Sequence, residues 1–498
     1  RMKEVAALFD RLLGAVEDSD PLPDALALLL DAGQPESGRV EAAHQLGAKR
    51  PHAAVSAVDA WARFPESPVH PGADSELRTI GARLLLDCFE SPEPDRALER
   101  LPVVMRSFRQ RYDLERLTAP ELRRGLARLL GLSDLLSRII VMQPQLVTLA
   151  FSPGSTIQDL ERHEWLDPFL ERGDGGEAAV QALSELKHEH TLRVALSDLA
   201  SSTSEAEVER RLTDLAEFIV AQVLRVAEAE TQRRFGAPPQ DAGMAILAGG
   251  TLGAREMSYR TDLDLSVLFR GEGQTEGGTR GPISVTEYFT RVTQKLTGLL
   301  GITTVAGPLY TVDMRLRPSG NQGTLVTSID GFRAYHARKG QLWERQALVR
   351  TRVVVASSKL AEDMEDVLAT AVQSAPRPDP TEIRRMKERL AREAHAEEDD
   401  PKLGRGGVME LQFVVQYLTL GADLPRTTET RVALHNLAES EHLDIREAEG
   451  LSWAYDRQRR ALNLSRLIDD PRARPSDPDL PEARRRIHDI FRRVLGGA

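Results

Sequence analysis

The sequence holds a single cysteine, Cys88, in 498 residues. That excludes an intrachain disulfide, argues against a cysteine-based zinc site and fits a reducing cytoplasm. Aromatic residues are scarce, at 5 %. No apolar run approaches the ~20 residues that span a bilayer, and no charged-then-apolar leader opens the chain, so no membrane role is expected. Positive charge is not in excess either. The formal net charge is −11, which disfavours bulk nucleic-acid binding but allows a local basic pocket for a triphosphate. The chain opens on Arg1 rather than Met, so a preceding segment is expected, as in a piece of a larger protein.

Ala, Leu and Arg are abundant instead, and they lose little side-chain freedom in helices. Apolar residues recur at three and four in stretches such as 5–16 and 122–140, which predicts helix after helix over 1–115 and a helical lead-in over 116–235. Breaks fall at 65–72 and 152–155. Ser204-Glu205-Ala206-Glu207 is a capping-box pattern and predicts a helix to about residue 234. Past Ala237-Pro238-Pro239 the character changes. Segments 244–248, 262–269 and 309–317 read as strands, 271–281 as a mobile Gly-rich loop, and 284–300 as an amphipathic helix. These define an α/β region over 236–360. A Pro-rich break at 376–380 opens a last helical part, 376–498, with helices over 381–395 and 408–420 and a charged stretch from 445. The predicted fold is mostly α, with a central α/β domain and helical domains on both sides.

Chemistry concentrates in that central region. In Leu247-Ala248-Gly249-Gly250-Thr251-Leu252-Gly253 a strand runs into glycines, which let backbone N–H groups approach phosphate oxygens. A helix starting nearby would add its positive end. Asp262 and Asp264 stand two apart on a strand and point to one face, while Leu263, Leu265, Val267 and Phe269 point to the other. Paired carboxylates repel unless a cation sits between them, and Mg²⁺ takes carboxylate and phosphate oxygens in this way. On the later strand, Thr311, Asp313, Arg315 and Arg317 share a face. That pattern suits either a solvated ion-pair ladder or a third metal ligand and base, Asp313, with Arg315 and Arg317 on phosphates. Lys402 and Arg405 flank glycines before a helix and make a plausible triphosphate contact, or a plain helix lead-in.

Gly249, Gly250, Thr251 and Gly253, the Asp262/Asp264 pair and Asp313 resemble the polymerase-β-type nucleotidyltransferase superfamily. Three longer blocks narrow this: Val312-Asp313-Met314-Arg315-Leu316-Arg317-Pro318-Ser319-Gly320, Trp343-Glu344-Arg345-Gln346-Ala347-Leu348-Val349-Arg350-Thr351-Arg352, and Lys402-Leu403-Gly404-Arg405-Gly406-Gly407. In this order they resemble the glutamine synthetase adenylyltransferase family, firmly over about 200–430. That family is a tandem of two related halves, one attaching AMP to a tyrosine of glutamine synthetase and one removing it by phosphorolysis. Each half joins a nucleotidyltransferase domain to a helical domain like that of PII uridylyltransferases.

The resemblance implies one half of such an enzyme, with a lean to the adenylylating half. It implies ATP as donor and Mg²⁺ on Asp262, Asp264 and Asp313. It further implies nucleotide contacts from Gly249, Gly250, Thr251, Gly253, Arg315, Arg317, Lys402 and Arg405, and a PII signal protein as a possible regulator. Two departures stand out. Thr251 replaces the family's usual lysine, and Gln412 replaces an acid on the helix after Lys402. They keep open a non-catalytic binding module that kept the fold, and phosphorolytic removal of AMP stays a second alternative because the same constellation serves both directions.

Other residues carry blander readings. Trp343 is expected in the core, and Glu344 and Arg352 line the cleft or pair on the surface. Gln412, Gln416 and Thr419 form a polar stripe read as a solvated helix face. Lys187-His188-Glu189-His190 reads as an exposed helix turn, since residues two apart do not face each other. Glu397-Glu398-Asp399-Asp400 reads as solvated loop.

Overall fold

A computed structural model describes residues 21–108, 114–147, 176–199, 203–303, 307–356, 358–374, 377–420, 422, 424–468 and 477–496. The expected helix at 5–16 and the break at 152–155 lie outside these. The chain divides into two compact units, one formed from 1–158, 188–203 and 467–473, the other from 159–187, 204–466 and 474–498.

The described part of the first unit is helical: α1 (Asp24–Leu30), α2 (Glu36–Gln45), α3 (Pro51–Ala62), α4 (Ser75–Phe89), α5 (Pro94–Met105), α6 (Pro120–Leu132) and α7 (Asp134–Met142). Its core includes Trp61, Leu84, Leu85, Cys88, Leu98 and Leu126. Burial of Arg123 is tolerated because its Nε meets the Asp87 carboxylate at 2.5 Å. The division between units falls within α8 (Gly176–Leu199). There His188 and His190 are buried rather than on an exposed turn. Lys187 is also withdrawn from water, which lowers its pKa to about 8, and its ammonium donates to the Leu309 carbonyl.

The second unit carries the mixed sheet. α9 (Glu205–Phe235) starts where expected, with the Ser204 hydroxyl accepting from Glu207 N. Five strands follow in sequence: β1 (Gly243–Ala248), β2 (Leu263–Arg270), β3 (Val312–Asp313), β4 (Val326–Ser328) and β5 (Arg352–Ala356). β1 is central and antiparallel to both β2 and β5; β3 and β4 run parallel to β2 along its other edge. Ala245 pairs with Leu268, so the face bearing both also bears Leu247, Ser266 and Asp264. That face packs with Phe332, Leu348, Leu360, Met364 and Leu368 of α12 (Ile329–Arg338), α13 (Leu342–Val349) and α14 (Ser358–Gln373). The opposite face, with Leu265, Val267 and Phe269, meets α11 (Val285–Gly301), where the Phe269 and Phe289 rings lie 5.8 Å apart.

Two strand-region expectations need correction. The segment 271–281 is not a free loop. Backbone N–H groups of Glu276, Gly277, Thr279 and Arg280 donate to the carbonyls of Ala237, Phe235, Arg233 and Arg234. They thereby satisfy the orphan acceptors at the end of α9. The predicted strand over 309–317 shortens to Val312–Asp313. Arg315 folds back on Asp313, and a left-handed Ser319 (φ 65°) turns the chain after Pro318.

The helices α15 (Pro380–Glu393), α16 (Val408–Thr419), α17 (Thr430–Glu439), α18 (Ile445–Ile468) and α19 (Leu480–Leu495) share a core of Leu411, Val414, Leu434, Leu437, Leu451, Tyr455, Ile487 and Phe491. Gln416 and Thr419 are buried, so the polar stripe of α16 is not a solvated face. The protein is therefore mostly α with a central mixed sheet, and no described helix is long and apolar enough to cross a membrane.

Candidate active site

The glycine turn between β1 and β2 packs closely against the carboxylate and backbone around it. The helix after Gly249 is one turn, α10 (Gly250–Gly253). Gly250 has φ +56°, and a Cβ there would run into the Asp264 carboxylate. Gly249 lies under the Leu316 side chain, and Gly253 against the carbonyls of Ala248 and Arg350. The glycines thus let Asp264 and neighbouring backbone close in. The turn is held from behind by Arg352, whose guanidinium donates to the Gly253 and Leu252 carbonyls and pairs with Glu217. Thr251 reaches only the Met257 sulfur, at 3.6 Å.

Parallel pairing places Asp264 directly across from Asp313, on strands about 4.8 Å apart. Asp262 sits exposed just before β2. Burial, then the charge of Asp313, with Asp262 adding to it, pushes the Asp264 pKa above its ordinary value against the pull of Lys402. Asp313 shifts the other way, because Arg315 hydrogen-bonds its carboxylate through Nε at 2.7 Å and backbone N at 2.8 Å. As the side chains stand, no three acid, imidazole or thiol groups among the described residues close on one point. The Arg315 side chain is 70 % exposed, so releasing Asp313 costs only about 0–1 kcal/mol. Carboxylates that already repel one another, all oxygen donors, fit a hard divalent cation such as Mg²⁺.

Around the acids, Arg317 Nε donates to the Gly320 carbonyl at 3.0 Å and lines a small cavity with Ser266, Leu316, Trp343 and Thr351. Trp343 is half-buried, not core. Glu344 is buried as the capping acid of α13, accepting from Tyr335 Oη at 2.9 Å and Gln341 N at 2.7 Å. Lys402 is exposed as a residue, though enough protein surrounds its ammonium to shift its titration. Burial first, then Arg466, lowers its pKa, while Asp264 and Asp400 oppose. Its loop is fixed by Asp400, whose carboxylate accepts from Lys402 N and Leu403 N, and by buried Glu410, which accepts from Gly406 N at 2.9 Å. Asp400 is thus a capping acid, whereas Glu397, Glu398 and Asp399 are exposed as expected. Arg405 lines a different recess, with Glu398, Asp399, Arg484, Arg485 and His488, which includes none of the three aspartates.

Two features escaped the sequence reading. Arg466 of α18 feels the charges of Asp262 and Asp400 and acts on Lys402. Buried Glu256 collects Arg350 Nη2 at 2.6 Å, Tyr455 Oη at 2.7 Å and Thr430 N at 3.0 Å. Burial alone would raise its pKa; Arg350 and Arg459 outweigh that and lower it. Gln412 Nε2 donates to the same Tyr455 hydroxyl at 2.9 Å, so the amide at this departure joins the network. Neither feature has a motif signal. Arg466 is one of many arginines in a charged stretch, and the partners of Glu256 lie far away in sequence.

A family model described as glutamate-ammonia ligase adenylyltransferase matches residues 124–367, and one described as GlnD PII-uridylyltransferase matches 380–473. Curated relatives are named bifunctional glutamine synthetase adenylyltransferase/adenylyl-removing enzyme. The chain is similar to that of Methylococcus capsulatus, 29 % identical over 530 residues, covering 99 % of this chain and 55 % of the relative. That of Pseudomonas syringae pv. tomato is 34 % identical over 421 residues, covering 77 % and 43 %. That of Burkholderia pseudomallei is 35 % identical over 315 residues, covering 58 % and 34 %. The chain spans about half the length of the first of these relatives and less of the others. Residues 124–367 thus carry a domain of the glutamate-ammonia ligase adenylyltransferase family.

Proposed function

We propose that this chain transfers AMP from ATP to a tyrosine of glutamine synthetase. The observation that carries the reading is the apposition of Asp264 and Asp313 across β2 and β3, with Asp262 beside them and the Lys402 charge acting on Asp264. In the proposed step the tyrosine oxygen bonds to the α-phosphorus, the α–β bridging P–O bond breaks, and pyrophosphate leaves. The phenolic proton passes to Asp313, which Arg315 keeps ionised. Asp262, Asp264 and Asp313 would hold Mg²⁺, which when bound neutralises charge on the phosphate oxygens. The protein's own contribution is positioning and preorganised charge: Gly249 and Gly250 seat Asp264, Gly253 and Arg352 brace the turn, and Lys402 faces the acids. A cytoplasmic location and regulation by a PII-type signal protein accompany this reading.

The reverse direction is the second reading, favoured by the relatives' name, which includes an adenylyl-removing activity, and by the chain's partial span of them. Mass spectrometry of glutamine synthetase incubated with the chain, Mg²⁺ and each nucleoside triphosphate in turn tests the first reading, which expects an AMP adduct on tyrosine with ATP. Adenylylated glutamine synthetase with inorganic phosphate tests the second. No adduct gained or lost in either arm would reject both.

A further inference from the structure

The cationic side of the site holds a donor that the protein itself does not use. Arg466 stands on α18, and its Nη1 is buried with no hydrogen-bond partner among the described residues. Buried guanidinium N–H groups are normally satisfied, so an orphan one calls for an explanation. Arg350 Nε and Arg431 Nη2 are orphaned too, but those side chains are held through their other nitrogens: Arg350 pairs with Glu256 at 2.6 Å and Arg431 with Glu209 at 2.7 Å, and Arg459 also pairs with Glu209. Arg466 feels Arg459 and acts on Lys402, while Asp400 and Asp262 pull on it the other way. Two cations brought together beside an unsatisfied donor make a place for an anion.

We propose that Arg466, together with Lys402, grips the β- and γ-phosphates of the nucleoside triphosphate. This rests on the nucleotidyltransferase reading above. Lys402 feels Asp264, and Arg466 feels Asp262, so the two cations adjoin the two acids that would take the metal. A triphosphate is the ligand whose charge suits both sides at once, with its metal-bridged oxygens on the acids and its terminal oxygens on the cations. Burial and Arg459 already push the Arg466 pKa down to about 10, in keeping with a guanidinium lacking its anion. Arg405, the sequence candidate for this role, lines the other recess.

Isothermal titration of the full chain with Mg²⁺ and a non-hydrolysable ATP analogue, inorganic tripolyphosphate or AMP tests this. Arg466→Gln is expected to weaken the analogue and tripolyphosphate by ~10–100-fold, the worth of a charged hydrogen bond, and to leave AMP nearly unchanged. Its ligand-free melting temperature is expected to hold or rise, because a buried unpaired donor is removed, while the analogue-induced rise is lost. Unchanged analogue affinity, or equal weakening of AMP, overturns the proposal and leaves the nucleotidyltransferase reading standing. A wild type that binds neither the analogue nor tripolyphosphate brings down both. If Arg466→Gln melts early, Arg466→Lys decides. Selective loss of triphosphate over AMP supports the phosphate contact, and parallel loss refutes it.

Discussion

Gly250→Ala is the sharpest test of how the site is built. The residue has φ +56°, where a side chain costs about 1–2 kcal/mol. The added Cβ would also occupy the space of the Asp264 carboxylate, which must swing aside by about an ångström. Displacement on that scale costs on the order of 10²-fold in rate. Stability should fall by only about 1–2 kcal/mol, since Asp264 has solvent on one side and can move. Gly253→Ala is the contrast. Its Cβ would meet the carbonyls of Ala248 and Arg350, both backbone, so stability should drop by about 3 kcal/mol or more. Initial rates of AMP incorporation into glutamine synthetase, measured beside urea unfolding of each variant, separate the two effects. Full activity in Gly250→Ala, or the larger stability loss falling there rather than at Gly253, would refute the account of the glycine turn.

Asp264→Asn is expected to cut turnover by ~10²-fold or more while raising the unfolding midpoint, because a half-buried carboxylate facing Asp313 is discharged; a lower midpoint contradicts that electrostatic picture. Glu256→Gln leaves Arg350 without its anion and should cost about 3–5 kcal/mol in urea, against roughly 1 kcal/mol for Tyr455→Phe; equal losses would deny the network its charged centre. His336, half-buried and beside Arg345, has its pKa lowered from 6.5 to about 4. Between these values the unfolded chain binds the proton and the native state does not, so stability is full above pH 6.5 and declines as pH falls toward 4, by about 1–3 kcal/mol. His336→Phe should flatten that slope, and an unchanged pH profile of the unfolding midpoint would show that His336 does not titrate as stated.

The elements that the chain writes locally were legible. Ser204 and Ser284 cap helices where the pattern placed them, and β1 and β2 begin within a residue or two of the expected positions. The helices follow their capping residues, and β1 and β2, buried on both faces, follow short apolar runs bounded by turn residues. Periodicity misled where the chain answers to a single neighbour. Thr311, Asp313, Arg315 and Arg317 alternate like a strand, but Arg315 closes on Asp313 and ends the alternation. The Gly-rich segment 271–281 looked free because its partners are carbonyls at the end of α9, which no pattern of side chains reveals. Within the site, Asp264 and Asp313 meet through strand register, and their motif anticipated it. Lys402 stands out in the sequence through its flanking glycines, whereas Arg466 has only its place on a long helix to distinguish it.

That contrast points to what holds the site together. The acids belong to the sheet, Asp264 on β2 and Asp313 on β3, and the cations Lys402 and Arg466 belong to the helical segment that follows. Among the described residues no hydrogen bond or ion pair joins the two sets, and like charges within each set repel. The Glu256 network supplies the missing constraint. Glu256 and Arg350 come from the rim of the sheet, Glu209 from α9, and Arg431, Tyr455 and Arg459 from α17 and α18. Arg459 lies seven residues, about two helical turns, before Arg466 on the same helix, so fixing one fixes the approach of the other. An apolar contact of equal area would stabilise the assembly as well, but it would tolerate sliding. Directional bonds to a buried carboxylate hold α18 in one register, and that register carries Arg466 toward the acids.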